Sequence, residues 1–150
     1  MAMNNPYSKK ALSVREQLAR VRGLYPHFWS VVRKGMLQIE GDLRPTARSI
    51  EYRVRIEYEM NSSPNVWVVS PKLEPRELGG SLKHVYPGNR LCLYLPNTGE
   101  WTRGKSLAHT IIPWTTEWLF HYEVWHATGV WCGGGVEPRS SRTIRREMKD

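Results

Sequence analysis

The chain has 150 residues, of which 40% are hydrophobic, and its formal net charge is +8. A chain of this length is most simply one folded domain with a substantial core. Its two cysteines, Cys92 and Cys132, are forty residues apart, which excludes a disulfide framework and a Cys-x-x-Cys zinc pair. No run of about 18 apolar residues is present, so no segment is expected to span a membrane.

The charge and the N-terminus limit the location and the partners. The opening residues, MAMNNPYSKK, have no apolar run of the kind found in a signal peptide, and the cysteine usage favours a reducing, cytoplasmic compartment. The basic excess favours an anionic partner, but a solvated basic surface explains it equally well. Because the basic residues do not interleave with aromatic ones, nucleic acid is an unfavoured partner.

The first predicted element is an amphipathic helix. Residues 1–12 are polar and are predicted to be a flexible lead-in. Ser13 and Glu16 have the spacing of a capping box. Gly23 is expected to end the helix. Apolar residues recur at helical spacing between these two signals, namely Val14, Leu18 and Val21.

A meander of antiparallel strands is predicted next. Residues 28–39 indicate two short strands interrupted at Gly35, and Gly41 with the residues after it is expected to form a turn or loop. Residues 50–60 form the clearest strand, because apolar and charged residues alternate there. Residues 66–69 predict a further apolar strand, after which an extended loop is expected.

The longest apolar pattern lies near the C-terminus. Pro113 falls within this pattern, so either the helix begins there with proline in its first turn, or a longer helix from Ser106 is kinked at Pro113. The kinked helix is favoured because the apolar stripe begins before the proline. Gly129 is expected to end the helix. The apolar stripe recurs at steps of three or four residues and consists of Leu107, Ile111, Trp114, Trp118, Tyr122 and Trp125. Its tryptophans are expected to pack in the core rather than to stack on bases.

These elements predict an α+β fold. An N-terminal helix is followed by an antiparallel meander sheet, which is covered by a central helix on one face. The folded domain is predicted to comprise residues 13–136, and residues 137–150 are predicted to be a basic tail.

Cys92 has two interpretations. It lies between a turn at residues 88–89 and a second turn at residues 96–99, where a side chain can be exposed on a fixed backbone. His84 and Arg90 can supply positive charge that favours the thiolate of a nucleophile. A buried structural thiol is nevertheless the favoured interpretation from the residues alone, because unpaired cysteines are among the most buried side chains.

Other candidate residues give weaker signals. Cys132 follows Trp131 and is expected to pack against it. His121 and His126 are five residues apart, so they do not share the i, i+4 face of a zinc-protease helix, and no metal site or cofactor is predicted. His109 and His121 are expected to be polar-face or cap residues.

The region around Cys92 resembles the active site of ubiquitin-conjugating enzymes. In that family a His-Pro-Asn turn precedes the catalytic cysteine, leucine follows the cysteine, and tryptophan and a helix come later. This chain has the same order in His84, Tyr86-Pro87, Cys92-Leu93, Trp101 and the helical pattern from Ser106. LCLYLPNTGEW and IIPWTTEWLFHYEVWHATGVWCGGG are more similar to the bacterial ubiquitin-conjugating-like proteins of antiphage systems that signal through cyclic oligonucleotides (CBASS).

The resemblance implies a fold of the ubiquitin-conjugating type and a transferase activity. It implies that Cys92 forms a thioester with the C-terminus of a cGAS-like nucleotidyltransferase and passes that C-terminus to a lysine. The resemblance leaves open whether a separate activating enzyme is a further partner. His84 is implied to fix the turn, and Trp101 to pack the loop after the active site.

The chain departs from the eukaryotic pattern at the turn. Val85 and Tyr86 stand where that family has Pro and Asn, and His84 is two residues closer to the cysteine. Asn89 or Asn97, or backbone amides, can substitute for the missing asparagine. The transferase ranks first among the hypotheses, ahead of a non-catalytic adaptor of the same fold and a basic nucleic-acid-binding module.

Overall fold

The computed structural model of the protein describes residues 10–134. Over this range the chain is α+β, as predicted. The basic tail proposed at residues 137–150, and most of the lead-in at residues 1–12, lie outside the described residues. The elements are α1 (Val14–Leu24), β1 (Trp29–Arg33), β2 (Met36–Leu43), β3 (Tyr52–Glu59), β4 (Asn65–Ser70), β5 (Val85–Tyr86), β6 (Arg90–Leu91) and α2 (Ile111–Thr128).

The first four strands form an antiparallel meander in the order β1-β2-β3-β4. The register places Ile56 opposite Ile39 on one side and Val66 on the other, and Tyr58 opposite Leu37. All five side chains are buried, whereas the alternate residues of β3 are half-buried or exposed. The predicted alternation is therefore confirmed, and it gives the sheet one apolar face.

Helix α1 is held at its start and along its buried face. The predicted capping box is confirmed, because Ser13 Oγ accepts from Glu16 N and Glu16 Oε1 accepts from Ser13 N. Gln17 is fully buried, and its amide donates to Lys105 O and accepts from Leu107 N, at 3.0 and 2.9 Å. A buried amide with both groups satisfied fastens α1 to the segment that leads into α2.

The prediction of a long helix kinked at Pro113 is wrong. Residues 106–110 form turns in which Ser106 O accepts from the backbone N–H groups of His109 and Thr110, and α2 begins at Ile111. Pro113 therefore lies in the first helical turn, where its missing N–H has no intrahelical acceptor to lose. Gly129 ends the helix with a φ of 80°, as predicted.

The turn or loop expected at Gly41, Asp42 and Pro45 starts later than predicted, because Gly41 and Asp42 lie inside β2 and the irregular segment begins at residue 44. A Cβ built on Gly41 would come within 2.2 Å of the Phe28 ring. The glycine therefore allows a close approach of an aromatic ring to the strand, rather than a change of chain direction. Gly23 likewise lies inside α1, which ends at Leu24.

Helix α2 completes the core on the apolar face of the sheet. Tyr122 packs edge-on against Tyr52 of β3, with ring centroids 6.4 Å apart, and Glu123 accepts from the Tyr52 hydroxyl at 2.9 Å. The predicted packing role of the stripe is confirmed for Trp118 and Trp125, which are 4% and 5% exposed. Within residues 10–134, neither helix is long and apolar enough to cross a membrane.

Candidate active site

The hairpin formed by β5 and β6 positions Cys92. Tyr86 pairs with Arg90 across a tight turn in which Asn89 N donates to Tyr86 O at 3.0 Å. Gly88 and Asn89 both have positive φ, which glycine and asparagine adopt most readily. Cys92 follows directly after β6, so its backbone is carried by the hairpin.

His84 fastens this hairpin to the rest of the protein. Its carbonyl oxygen accepts from Cys92 N and from the indole Nε1 of Trp118, both at 3.0 Å. Its ring is buried and stacks on Trp131, with ring centroids 4.8 Å apart. The structure thus brings His84 and Cys92 together, and α2 holds them both through Trp118.

The Cys92 thiol is half-buried, so the fully buried structural thiol favoured from the residues alone is not what the structure contains. The Sγ atom donates to the Tyr86 hydroxyl oxygen at 3.5 Å and more weakly to Tyr94 O at 3.9 Å. This places a phenol directly beside the sulfur, on the residue that stands where the eukaryotic turn has asparagine.

Tyr86 is held as a neutral hydroxyl. Burial, followed by the hydrogen bond with the Cys92 thiol, raises the pKa of Tyr86 to about 12. The Arg90 guanidinium lies 4.4 Å from the centroid of the Tyr86 ring, and its Nη1 donates to Asn65 Oδ1 at 2.7 Å. The phenol is therefore a hydrogen-bond donor at neutral pH, and Arg90 fixes its position.

A cleft of about 310 Å³ opens beside Cys92. A smaller cavity of about 180 Å³ adjoins it and shares His84, Cys92 and Glu100. The walls of the larger cleft combine indole rings, carboxylates, imidazoles and glycines: Trp114, Trp118, Trp131, Glu100, Glu117, His84, His121, Gly133 and Gly134, together with Leu93 and Cys92. Such a mixture of apolar walls and a few polar groups is typical of a binding site.

His121 lines this cleft, so its interpretation as a polar-face or cap residue is wrong. Its Nδ1 is buried and has no hydrogen-bond partner within residues 10–134. A Cβ on Gly133 would lie 2.7 Å from His121 Cδ2, which shows how closely the segment after α2 passes over the imidazole. Trp114, Glu117, Trp118 and His121 share a helical face by their spacing, and that signal could have assigned His121 to the cleft.

The other predicted site residues lie elsewhere. Asn89 and Asn97 are exposed turn residues with φ of 60° and 62°, and neither lines the cavities that contain Cys92. Trp101 packs on Tyr58, with centroids 5.6 Å apart, and donates to Thr110 Oγ1 at 3.1 Å. Asn97 and Trp101 both line a separate cleft of about 670 Å³.

Cys132 is exposed, so the prediction that it packs against Trp131 is wrong. It follows Trp131, whose own ring turns inward against His84 and Trp118. Among residues 10–134, no three or more His, Cys, Asp and Glu side chains are arranged to hold a metal ion.

A scan against protein-family models matches residues 17–138 to a family described as Type II CBASS E2 protein. The chain belongs to this family. The match runs from helix α1 past the last described residue, so it covers every residue of the candidate site. It confirms the resemblance to CBASS ubiquitin-conjugating-like proteins and gives the chain a role in CBASS antiphage defence. A search of curated proteins found no match.

Proposed function

We propose that this Type II CBASS E2 protein is a ubiquitin-conjugating-like cysteine transferase. Cys92 forms a thioester with the C-terminus of a protein partner, a cGAS-like nucleotidyltransferase, and passes it to a lysine. The observation that carries the proposal is the half-buried Cys92 thiol, fixed by a hairpin, with a neutral phenol 3.5 Å away and a cleft beside it.

The order of the elements supports a fold of the ubiquitin-conjugating type. An N-terminal helix, a four-stranded meander, a cysteine-bearing segment and a central helix follow one another along the chain. The thiol comes from the irregular segment between sheet and helix, where a rigid scaffold can present a reactive side chain.

The chemistry proceeds by two acyl transfers. The Cys92 thiolate attacks the activated carboxyl carbon of the partner's C-terminus, a C–S bond forms, and the activating group leaves. The partner's carboxyl group must arrive activated, because a thiol does not condense with a carboxylate unaided, and a separate activating enzyme is the expected source. A lysine amine then attacks the thioester, a C–N bond replaces the C–S bond, and the thiolate is released.

Tyr86 is the proposed oxyanion donor for both transfers. Its hydroxyl oxygen accepts from Cys92 Sγ at 3.5 Å, whereas Asn89 and Asn97 are exposed turn residues. A donor at this distance from Sγ is within reach of an oxyanion that forms on the carbon bonded to that sulfur. The raised pKa of Tyr86 keeps its proton available for this bond.

Mass spectrometry of the chain co-expressed with its nucleotidyltransferase tests the proposal. Serine at position 92 converts a labile thioester into a slower-hydrolysing oxyester, so Cys92→Ser should accumulate an adduct with the partner's C-terminus at residue 92. Wild type should give an adduct that thiol reagents release. Cys132→Ser is the matched control and should behave as wild type.

The alternatives predict other results. A non-catalytic adaptor would co-purify with the nucleotidyltransferase and yield no adduct in any of the three proteins. An adduct that moves to residue 132 or that survives in Cys92→Ala would also contradict the assignment of Cys92.

A further inference from the structure

We propose that the 310 Å³ cleft beside Cys92 binds the acceptor as a primary alkylammonium group, the end of a lysine side chain. This inference rests on the transferase function proposed above and names the residues that select its acceptor. Glu117 and Glu100 are the counter-charges, and the tryptophan walls contact the methylene chain.

The cleft is acidic although the protein is basic. Among residues 10–134, two glutamates and no lysine or arginine line it, whereas the chain as a whole carries a net charge of +8. The Glu117 side chain is exposed and makes no hydrogen bond or ion pair with any residue from 10 to 134. Glu100 Oε2 accepts from Leu95 N at 3.2 Å, which fixes that carboxylate at the rim. A cation is therefore attracted to this cleft more than to the surrounding surface.

Three indole rings give the cleft an apolar wall suited to the rest of the side chain. Trp118 is fixed by its hydrogen bond to His84 O, and Trp131 packs against it with centroids 5.3 Å apart. Trp114, half-buried, lies beside Tyr94. Indole faces attract an ammonium group, and they also bury methylene groups that water solvates poorly.

His121 adds an imidazole ring to the same cleft. Its buried Nδ1 lacks a hydrogen-bond partner among the described residues, and such a group is costly to leave unsatisfied. An ammonium group has three N–H donors, so the two carboxylates and an imidazole nitrogen can satisfy all of them.

The partner's C-terminal tail is a poorer occupant of this cleft. The end of that tail arrives as an activated or thioester-bonded carbonyl, which carries no positive charge for Glu100 and Glu117 to attract. The cleft of about 670 Å³ includes Arg103 and, among residues 10–134, has no acidic side chain in its lining, so it suits an extended segment of the tail that precedes the bonded carboxyl group. Tyr94 lines both that cleft and the small cavity at Cys92.

The acceptor reaction balances without any further reactant. The bound ammonium gives one proton to a carboxylate of the cleft, and the neutral amine attacks the thioester carbon. The C–S bond breaks as the C–N bond forms, and the second amine proton passes to the Cys92 thiolate. The products are an isopeptide bond and the free thiol.

Binding to the unloaded protein is the first arm of the test. Cadaverine and N-acetyl-lysine methylamide are titrated into the full chain, and the indole N–H resonances of the seven tryptophans are followed by NMR. Saturable shifts are expected at Trp114, Trp118 and Trp131. Glu117→Gln should weaken binding about tenfold, because one charged hydrogen-bond partner is lost. The uncharged N-acetyl-norleucine methylamide should not bind.

Glu59→Gln is the matched control, because it removes one exposed carboxylate at the end of β3 and away from the cleft. It should bind cadaverine as wild type does. Equal affinities for wild type and Glu117→Gln, or displacement of cadaverine by a peptide of the partner's C-terminal sequence, would overturn the proposal.

Discharge of the thioester is the second arm. Loaded Glu117→Gln should release Cys92 to free lysine about tenfold more slowly than loaded wild type, with partial recovery in Glu117→Asp, whereas Glu59→Gln should load and discharge as wild type does. If loading fails in every variant, the transferase function is wrong, while the binding arm still decides whether the cleft takes an ammonium. If loading and discharge are both unchanged, the acceptor site is wrong and the transferase stands.

Discussion

Residues 13–70 and residues 71–134 are built in different ways. The first region holds α1 and the four-stranded sheet, whose backbone groups are paired along antiparallel ladders. The second holds α2 and two strands of two residues each, and the rest of it is irregular. Nearly all residues of the candidate site lie in this second region.

The contrast shows how an irregular segment can carry a precise site. Cys92 is positioned by a few discrete contacts that converge on His84: the Cys92 N and Trp118 Nε1 hydrogen bonds and the stack on Trp131. The hydrogen-bonded ladders of the sheet stabilise the fold, and these few contacts fix the position of Cys92. Substitutions in the two regions should therefore separate stability from activity.

Cys92→Ala should have the largest effect on activity. It removes the nucleophile, so adduct formation with the nucleotidyltransferase should be abolished. The thiol is only half-buried, so the melting temperature should change little. Cys132→Ala removes an exposed thiol from the same region and should keep wild-type adduct formation, measured by intact-protein mass spectrometry. Activity that survives in Cys92→Ala would place the nucleophile elsewhere.

Ile56→Ala should lower the stability of the protein and leave its loading rate unchanged. Ile56 is fully buried in the sheet, and replacing such a side chain by alanine leaves a cavity that costs about 2–5 kcal/mol of unfolding free energy. Urea denaturation measures the loss. Folded Ile56→Ala protein should load its cysteine at the wild-type rate, since no contact of the site involves this residue. A slowed rate in the folded fraction would show that the sheet also tunes the site.

Tyr86→Phe should slow loading by roughly 10²-fold, the usual effect of removing one oxyanion donor. The ring and its contact with Arg90 remain, so the unfolding free energy should change by less than about 1 kcal/mol. Single-turnover rates of thioester formation measure the effect. Asn89→Ala and Asn97→Ala are the comparisons, and a greater loss in either would assign the oxyanion bond to that residue.

The same two regions differ in how far the sequence predicts them. The alternation of β3, the capping box at Ser13 and the glycine at the end of α2 are local signals, and all three predictions are confirmed. The start of α2 was mispredicted because buried Leu107 continues the apolar spacing through residues that form turns.

The site shows the same limit. His84, Tyr86 and Cys92 lie within nine residues and can be proposed from local order. Trp131 reaches the cleft only because the segment after α2 packs beside the hairpin, and a tertiary contact of this kind leaves no motif in the sequence. The spacing of His121 from Trp114 places the two on one helical face, but only the packing of α2 shows that this face borders Cys92. Gly41 shows the same limit inside the sheet, because a rule that assigns turns to glycine cannot detect the close approach of the Phe28 ring.

Trp118→Phe should reduce both stability and activity by small amounts. It removes the indole N–H that holds His84 O while keeping an aromatic ring in the core. We expect the unfolding free energy to fall by about 1–2 kcal/mol and the loading of Cys92 to be several-fold slower. Trp125→Phe is the matched control: Trp125 is also buried on α2, but it makes no indole hydrogen bond to another described residue. Equal loading rates for the two variants would mean that packing alone positions the hairpin.

Ser13→Ala should have the smallest effect, and it should be confined to stability. The substitution removes the side-chain half of the capping box, which is worth about 1 kcal/mol, and leaves every contact of Cys92 unchanged. Ser81→Ala, at an exposed serine with no side-chain hydrogen bond to another described residue, is the control and should melt as wild type does.

The second hydrogen bond of the capping box, from Ser13 N to Glu16 Oε1, depends on the charge of Glu16. The bonds from the Ser13 backbone N–H and then from its side chain hold the pKa of Glu16 below its usual 4.5. A lowered pKa means that the charged form favours the folded protein, so this stabilisation is present above pH 4.5 and is lost as the pH falls through the lowered pKa. Glu16→Gln should therefore melt below wild type at pH 7, and the two should converge near the acid end. Within residues 10–134, the hydrogen bonds of α1 to the second region run from Gln17 to the segment before α2, so loading rates should stay at the wild-type value throughout.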